Sequence, residues 1–397
     1  MSGISGARVG FILQSGHWLG GRIYLRNLLA AIRTLPGNTI TPVIFTGKRN
    51  ADASTDYPET EIVAESLFDR KSPAWFAWKV LQRIASKDVM LRRLLRQHDV
   101  FALSHSFQPG ALSPVRTIGW IADFQHVHLP EFFTPKERMR RDQEFRRLCK
   151  YCDKVIVSSE CARADLLAFS PKYAHKAELL RFVSSPMPFV DAATLPDLRR
   201  LYSFDGPYFL LPNQFWAHKN HRVVVEALQR LKRQKKSFVV LATGSREDNR
   251  NPLFFSSLMQ YAAECEVLDR FRVLGQIPLD HLAGLMQHAI AFINPSRFEG
   301  WSTSVEEAKS MGKQIVLSDI PVHREQAPER GLFFPPEDSE ALAQTLLDVS
   351  ERFDSQQDEA AQKQARARFP ERQRAFGETY LAIVGRVLNL KRPSNRQ

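Results

Sequence analysis

Runs of consecutive apolar residues recur along the chain, each followed by a polar or glycine-containing turn and then by a stretch with helical spacing. The first half predicts strands at Arg8–Leu13, Thr39–Thr46, Asp99–His105, Arg116–Ala122, Lys154–Val157 and Leu179–Val183. The second half predicts them at Tyr208–Leu211, Phe238–Ala242, Phe271–Ile277, Ala289–Ile293, Gln314–Ser318 and Gly331–Pro336. Runs apolar on both faces are expected of parallel strands covered by helices. The intervening helices are expected at Ile23–Leu35, Ser72–Ile84, Val89–Gln97, Pro135–Cys152, Glu160–Phe169, Arg222–Arg233, Asn251–Glu264, Leu279–His288 and Ser339–Phe353, with a last one at Arg372–Leu390. Asn50–Glu61, polar and acidic, reads as a surface loop.

A chain of 397 residues exceeds one ordinary core, so the α/β pattern predicts two domains. The expected division is an N-terminal Rossmann-like domain over 1–190, a linker over 191–206, a C-terminal Rossmann-like domain over 207–371, and a terminal helix and tail over 372–397. Ser184–Arg200, with three prolines and little periodicity, marks the linker region.

Within this frame one stretch concentrates the chemistry, Asn294-Pro-Ser-Arg-Phe-Glu-Gly-Trp-Ser-Thr-Ser-Val-Glu-Glu307. It joins a buried strand to a helix expected over Ser304–Met311, with Thr303/Glu306 and Ser304/Glu307 at capping-box spacing. Such a helix start lies at the carboxyl edge of a parallel sheet, where ligands bind, and its free N–H groups suit a phosphate. Glu299 on the loop and Glu307 in the first turn place acceptors on either side, suited to sugar and ribose hydroxyls. Lys219, just before the helix expected at Arg222, is placed to meet phosphate oxygens as a point charge. Gly20-Gly21 permits close backbone approach at another helix start; a tight turn without a ligand explains it about as well. In Asp123-Phe-Gln-His-Val-His-Leu-Pro-Glu, Asp123 and His126 are favoured over His128 for a functional role, although a lone histidine is more often structural.

The segment Glu299-Gly-Trp-Ser-Thr-Ser-Val-Glu-Glu307 resembles the Glu-x7-Glu hallmark of the retaining glycosyltransferases of family 4 (glycosyl transferases group 1). The resemblance covers nearly the whole chain and is strongest from about Pro207 to Asp338. It implies an α/β fold of the GT-B type, two Rossmann-like parallel-sheet domains facing a cleft, with the C-terminal helix crossing back to the first domain. It also implies retaining, metal-independent transfer of a hexosyl group from a nucleotide sugar to a saccharide or lipid-linked saccharide acceptor in surface polysaccharide biosynthesis. Glu299, His126, Asp123 and Lys219 are then the catalytic candidates. Donor contacts fall to Glu307, Lys219, Gln214, Ser304, Val305, Gly275, Gln276, Ile277, Gly20 and Gly21. Two departures stand out: family members carry an arginine where this chain has Gln214, and His-Asp where it has Ala122-Asp123. Arg297 or His218 could help neutralise the diphosphate. No Asp-x-Asp occurs, so no metal is expected, and no cofactor beyond the donor, with a GDP-linked sugar such as GDP-mannose slightly ahead of a UDP-linked one.

The formal charge of +12 fits an anionic membrane surface, nucleic acid, or ordinary solvated basic faces. No nucleic-acid-binding motif is present, and nucleic acid is not expected as a partner. The helices at Ser72–Ile84 and Val89–Gln97 mix apolar and basic residues, as an interfacial helix does, with core packing slightly ahead. No signal peptide or membrane-spanning run is legible, which predicts a cytoplasmic protein with peripheral contact on the inner membrane as an open option. Cys149-Lys-Tyr-Cys152 has no second pair to complete a zinc site. The rival readings are a nucleotide-sugar epimerase or hydrolase of the same fold, and a basic binding protein that uses the fold as a scaffold. Four tryptophans, Trp18, Trp120, Trp216 and Trp301, fall near the candidate segments, where sugar faces stack on aromatics.

Overall fold

The computed structural model describes residues 6–13, 19–50, 53–84, 88–106, 115–191, 194–236, 238–248 and 250–389. Two compact units divide the chain. One comprises Met1–Phe124, Pro135–Val183 and Glu371–Gln397; the other comprises Gln125–Thr134 and Ser184–Pro370.

The first unit is built on strands β1 (Ala7–Ile12), β2 (Ile40–Thr46), β3 (Glu61–Ala64), β4 (Val100–Ser104), β5 (Arg116–Ile121), β6 (Lys154–Val157) and β7 (Ala177–Leu179). They form one sheet in the order β3-β2-β1-β4-β5-β6-β7, every pairing parallel. β3 begins at Glu61, where the expected surface loop ends, in a stretch for which no strand was expected, and β7 begins two residues earlier than expected. Helix Leu19–Arg33 starts before the glycines, so Gly20 and Gly21 occupy its first turn.

The second unit carries β8 (Tyr208–Pro212), β9 (Val239–Thr243), β10 (Phe271–Gly275), β11 (Phe292–Asn294), β12 (Ile315–Ser318) and β13 (Gly331–Phe334). Their order is β10-β9-β8-β11-β12-β13, again all parallel. β8, β11 and β12 are buried along almost their whole length, with Phe209, Leu211 and Ile293 in one core cluster and Leu210, Phe292 and Leu317 in another. Chain order reverses between β8 and β11, and an open parallel sheet offers its ligand crevice at such a switch point, beyond the carboxyl ends of the strands.

The segment expected to link the domains contains helix Leu195–Tyr202, with Leu198 buried in the second core. The terminal helix is longer than its apolar pattern suggested. It runs Ser355–Leu388 without a break and contains Pro370, where the division between the units falls. Up to Pro370 it is fixed to the second unit by Asp358, a buried carboxylate that accepts from Lys313, from Arg330 Nη1 at 2.7 Å and from Gln362 Nε2 at 2.9 Å. From Glu371 onward it belongs to the first unit, where Gly377 lies against the Ala31 carbonyl and the Tyr380 ring sits 6.3 Å from that of Phe11. Among the described residues no helix is long and apolar enough to cross a membrane.

Candidate active site

The loops after β8 and β11 meet at the switch point of the second sheet. Lys219 precedes helix His221–Arg233, and its backbone N–H donates to the Trp216 carbonyl at 2.9 Å. Its ammonium donates to Glu299 Oε1 at 2.6 Å, with both side chains almost wholly buried. The Ser296 hydroxyl, 2.8 Å from the same carboxylate and 2.7 Å from Asn294 Oδ1, shares its one hydrogen between the two acceptors. Burial pushes the Glu299 carboxyl up, but the charge of Lys219, the neighbouring His323 and the hydrogen bonds from Lys219 and Ser296 bring it below its ordinary value. Glu299 is therefore an anion at neutral pH, held in place by a cation.

A polar scaffold buried beneath the pair fixes the loop. Asn294, the last residue of β11, accepts from the Ser296 N–H and hydroxyl at 3.2 and 2.7 Å and donates to Ser302 Oγ at 2.9 Å. Gln326 accepts from the Ser302 N–H at 3.2 Å and donates to Glu306 at 3.1 Å. The helix that follows is Thr303–Ser310, with Ser302 at its N-cap. The expected capping box at Thr303/Glu306 does not form; Glu306 turns inward to Gln326 and to Lys309 at 3.0 Å. The first intrahelical bond is Glu306 N–H to the Ser302 carbonyl, so the amides of Thr303, Ser304 and Val305 precede the ladder, as the first turn of any helix requires. Ser304 Oγ reaches Asn213 Oδ1 at 3.4 Å, Val305 is buried in the core, and Glu307 is half-buried one turn into the helix.

Sequence reasoning passed over His323, which lies on a short helix, Pro321–Gln326. Its Nδ1–H donates to the Ser318 carbonyl at 2.9 Å, which leaves Nε2 as the lone-pair nitrogen of a neutral ring, with no hydrogen-bond partner among the described residues. Burial lowers its pKa to about 4, against the opposing pull of Glu299. A single histidine after a strand carries no sequence signal of its own, and only the proximity of Glu299 and Lys219 draws attention to it. His218 is likewise buried, and its pKa is pushed well below the ordinary value by burial and then by Lys219, Arg250 and His221.

The remaining candidates are distributed as follows. Gln214 Oε1 accepts from the Ser245 N–H at 2.7 Å, tying the β8 loop to the β9 loop. Gly275 ends β10 with φ +75°, and its carbonyl accepts from the Gly244 N–H at 2.9 Å; Gln276 is exposed and Ile277 half-buried beside it. Gly244, at φ +141°, has to be glycine, since a Cβ would stand 2.4 Å from the Asn213 carbonyl oxygen. Arg297 is taken up by Glu337, at 2.6 and 2.8 Å, and so faces a carboxylate within its own unit.

The segment expected with the first domain contributes to the second unit instead. Gln125–Thr134 packs there: Arg250 Nη1 donates to Gln125 Oε1 at 3.1 Å, and its guanidinium lies 5.2 Å from the Phe133 ring and 5.3 Å from the Trp216 ring. A small cleft of about 100 Å³ separates Glu131 and Phe132 from Ala217, His218 and Asp248. His126 is buried on the four-residue helix Gln125–His128, while exposed His128 sits 5.2 Å from the Phe298 ring, next to Glu299. Asp123 belongs to the first unit and pairs with Arg141 at 3.0 Å. Gly20 and Gly21 also lie in the first unit. Of the tryptophans, Trp120 stacks on Tyr24 at 4.6 Å, Trp301 is buried, and Trp18 lies outside the described residues.

Residues 203–368 match the family model described as Glycosyl transferases group 1. O-antigen chain mannosyltransferase RfbU of Salmonella typhimurium is 25% identical over 144 residues, 36% of this chain and 38% of the relative. O-antigen chain mannosyltransferase B of Escherichia coli is 23% identical over 243 residues, 58% of this chain and 60% of the relative. Both alignments thus span less than two thirds of the curated relative. Among solved structures, Anabaena HepE in complex with UDP and glucose superposes with a TM-score of 0.71 at 14% identity, over 96% of this chain and 100% of that one. At such identity the likeness concerns the fold alone. Residues 203–368 thus resemble the group 1 glycosyl transferases, and they are set in a chain whose two parallel-sheet units have the GT-B fold.

Proposed function

We propose that the protein is a retaining, metal-independent hexosyltransferase that uses a nucleotide sugar as donor. The observation that carries this reading is the buried Lys219–Glu299 pair at the switch point, beside the start of helix Thr303–Ser310. Departure of a nucleoside diphosphate breaks the bond between the anomeric carbon and a phosphate oxygen, and the electron pair leaves with the phosphate. Lys219 and the amides of Thr303, Ser304 and Val305 supply the positive potential that stabilises this developing charge. Glu299 serves the sugar hydroxyls and Glu307 those of the ribose, while His126 is assigned to the sugar and Asp123 to the acceptor side. With Arg297 paired to Glu337 and Gln214 in place of a cation, the diphosphate depends heavily on Lys219.

The two O-antigen chain mannosyltransferases support a mannosyl group and a saccharide or lipid-linked saccharide acceptor, which in turn favours a GDP-linked donor. HepE, solved with UDP and glucose, keeps a UDP-linked donor as the alternative. On this reading the reaction runs in the cytoplasm, where nucleotide sugars are expected. The test is thermal stabilisation by GDP, UDP, ADP and dTDP, with and without magnesium, followed by product analysis with the matching nucleotide sugar. A shift with one nucleotide that is independent of magnesium, with a glycoside of retained configuration as product, supports the reading. No shift with any nucleotide sinks it, and free sugar or its epimer as the product points to a hydrolase or epimerase.

A further inference from the structure

Helix Pro73–Ile84 has two apolar faces, and the core uses only one. Trp78 is buried against Phe68, their rings 5.8 Å apart, and Trp75 packs on the same cluster. Trp78 Nε1 and Gln82 Nε2 donate to buried Asp88, which also caps the next helix, Val89–Gln97, through the Leu91 N–H. Pro73, Phe76, Ala77, Val80 and Leu81 fall at helical spacing on the opposite side, and all are exposed. Phe76 is 54% accessible, Val80 51% and Leu81 42%, and Val89 at the start of the next helix is 60% accessible. Four large apolar side chains on one supersecondary unit form a patch rather than scattered surface residues.

Apart from one buried acid, the charge along this stretch of the chain has one sign. From Arg70 to Gln97 the sequence holds eight lysines and arginines and a single acid, Asp88, which is buried. Lys71, Arg93 and Arg96 are exposed. Lys79 lies over the Trp78 ring, and burial, partly opposed by Asp88, lowers its pKa, with Arg147 close enough to add to the lowering. Arg147 belongs to helix Pro135–Tyr151, whose exposed residues include Lys136, Arg138, Arg140, Arg146 and Lys150.

We propose that the outer face of helix Pro73–Ile84, with the start of helix Val89–Gln97, docks the protein on an anionic lipid bilayer. An apolar stripe bordered by cations matches a surface that is hydrocarbon below and negatively charged above. Nucleic acid would use the cations but has no place for Val80 and Leu81. The surface shares no residue with those assigned to the nucleotide, so loss of docking and loss of transfer can be told apart.

Co-sedimentation with phosphatidylcholine vesicles, with and without phosphatidylglycerol, tests this directly. The wild-type chain is expected to bind only the vesicles containing phosphatidylglycerol and to release as salt rises. The triple variant Phe76→Ser, Val80→Ser, Leu81→Ser should lose binding by about tenfold or more, with Tm and nucleotide-induced stabilisation unchanged. Arg93→Glu with Arg96→Glu should weaken it by a comparable factor. No wild-type binding to anionic vesicles, or equal binding by the triple variant, overturns the proposal. So does tight binding of single- or double-stranded DNA or RNA that the triple variant retains while vesicles are ignored.

Discussion

Lys219 and Glu299, 80 residues apart in sequence, meet at 2.6 Å in the interior of the second unit. Each comes from a loop leaving the carboxyl end of one of the two strands that flank the switch point. Removing one partner of a buried pair leaves the other charge uncompensated, which is costlier than the net worth of the pair. Lys219→Ala should therefore destabilise the chain by about 3–5 kcal/mol, measured by urea denaturation, and abolish nucleotide-induced stabilisation. Glu299→Gln keeps the shape and the bond to Lys219 and should cost much less stability, while transfer falls by about 100-fold or more. Equal activity of Glu299→Gln and wild type would remove Glu299 from the site.

Gly244 tests how tightly the β8 and β9 loops must approach. Its φ of +141° and the Asn213 carbonyl 2.4 Å from a notional Cβ leave no room for alanine. Asn213 in turn contacts Asn294 and Ser304, both at 3.4 Å, so displacing it moves the start of helix Thr303–Ser310. Gly244→Ala should cost about 1–3 kcal/mol and reduce donor affinity beyond what that loss explains. Nucleotide titration under conditions where the variant is fully folded gives the comparison.

The Asp358 cluster makes a prediction about stability alone. Asp358→Ala would strand buried Lys313 and half-buried Arg330, for an expected loss of about 3–5 kcal/mol. Arg368→Ala, on the same helix, breaks only the exposed pair with Glu329 and should change stability by less than about 1 kcal/mol. Similar denaturation midpoints for the two variants would contradict this account of what holds the helix.

These contrasts also explain what the sequence makes legible. The strands of the second half read directly because burial on both faces demands unbroken apolar runs, as in Tyr208–Pro212 and Ile315–Ser318. β3 escapes because it is a four-residue edge strand with only Val63 buried, set among polar residues. Ser355–Pro370 escapes for a different reason: its contact with the core runs through Asp358 and Gln362, so an apolar period has nothing to register. Within the site, Glu299 and Lys219 stand out because strand ends locate them. The spacing of Thr303 and Glu306 suggests a cap, yet the competing partners of Glu306, Gln326 and Lys309, are 20 and 3 residues away and win. Gln125–Thr134 meets the second unit through contacts such as that of Gln125 with Arg250, which no local pattern announces.

Acid should unfold this chain earlier than its surface charges suggest. His105, His221 and His323 are buried, and burial lowers their pKa values to about 3, about 3 and about 4. In the unfolded chain each returns to an ordinary value near 6.5. Between about pH 6.5 and 4 the unfolded state therefore binds more protons than the folded state, so stability falls as pH falls through that window. Each histidine contributes a slope of up to about 1.4 kcal/mol per pH unit. Glu299 acts in the same direction lower down: its lowered folded pKa supplies stability that is present above the unfolded carboxyl value and lost as pH drops through the folded one. Urea midpoints measured from pH 7.5 down to 4.5 should decline steadily, and His323→Gln should flatten part of the curve while leaving the remaining slope from His105, His221 and His218, whose pKa is likewise lowered by burial. Midpoints that stay constant across the window would mean that these histidines are already charged in the folded protein.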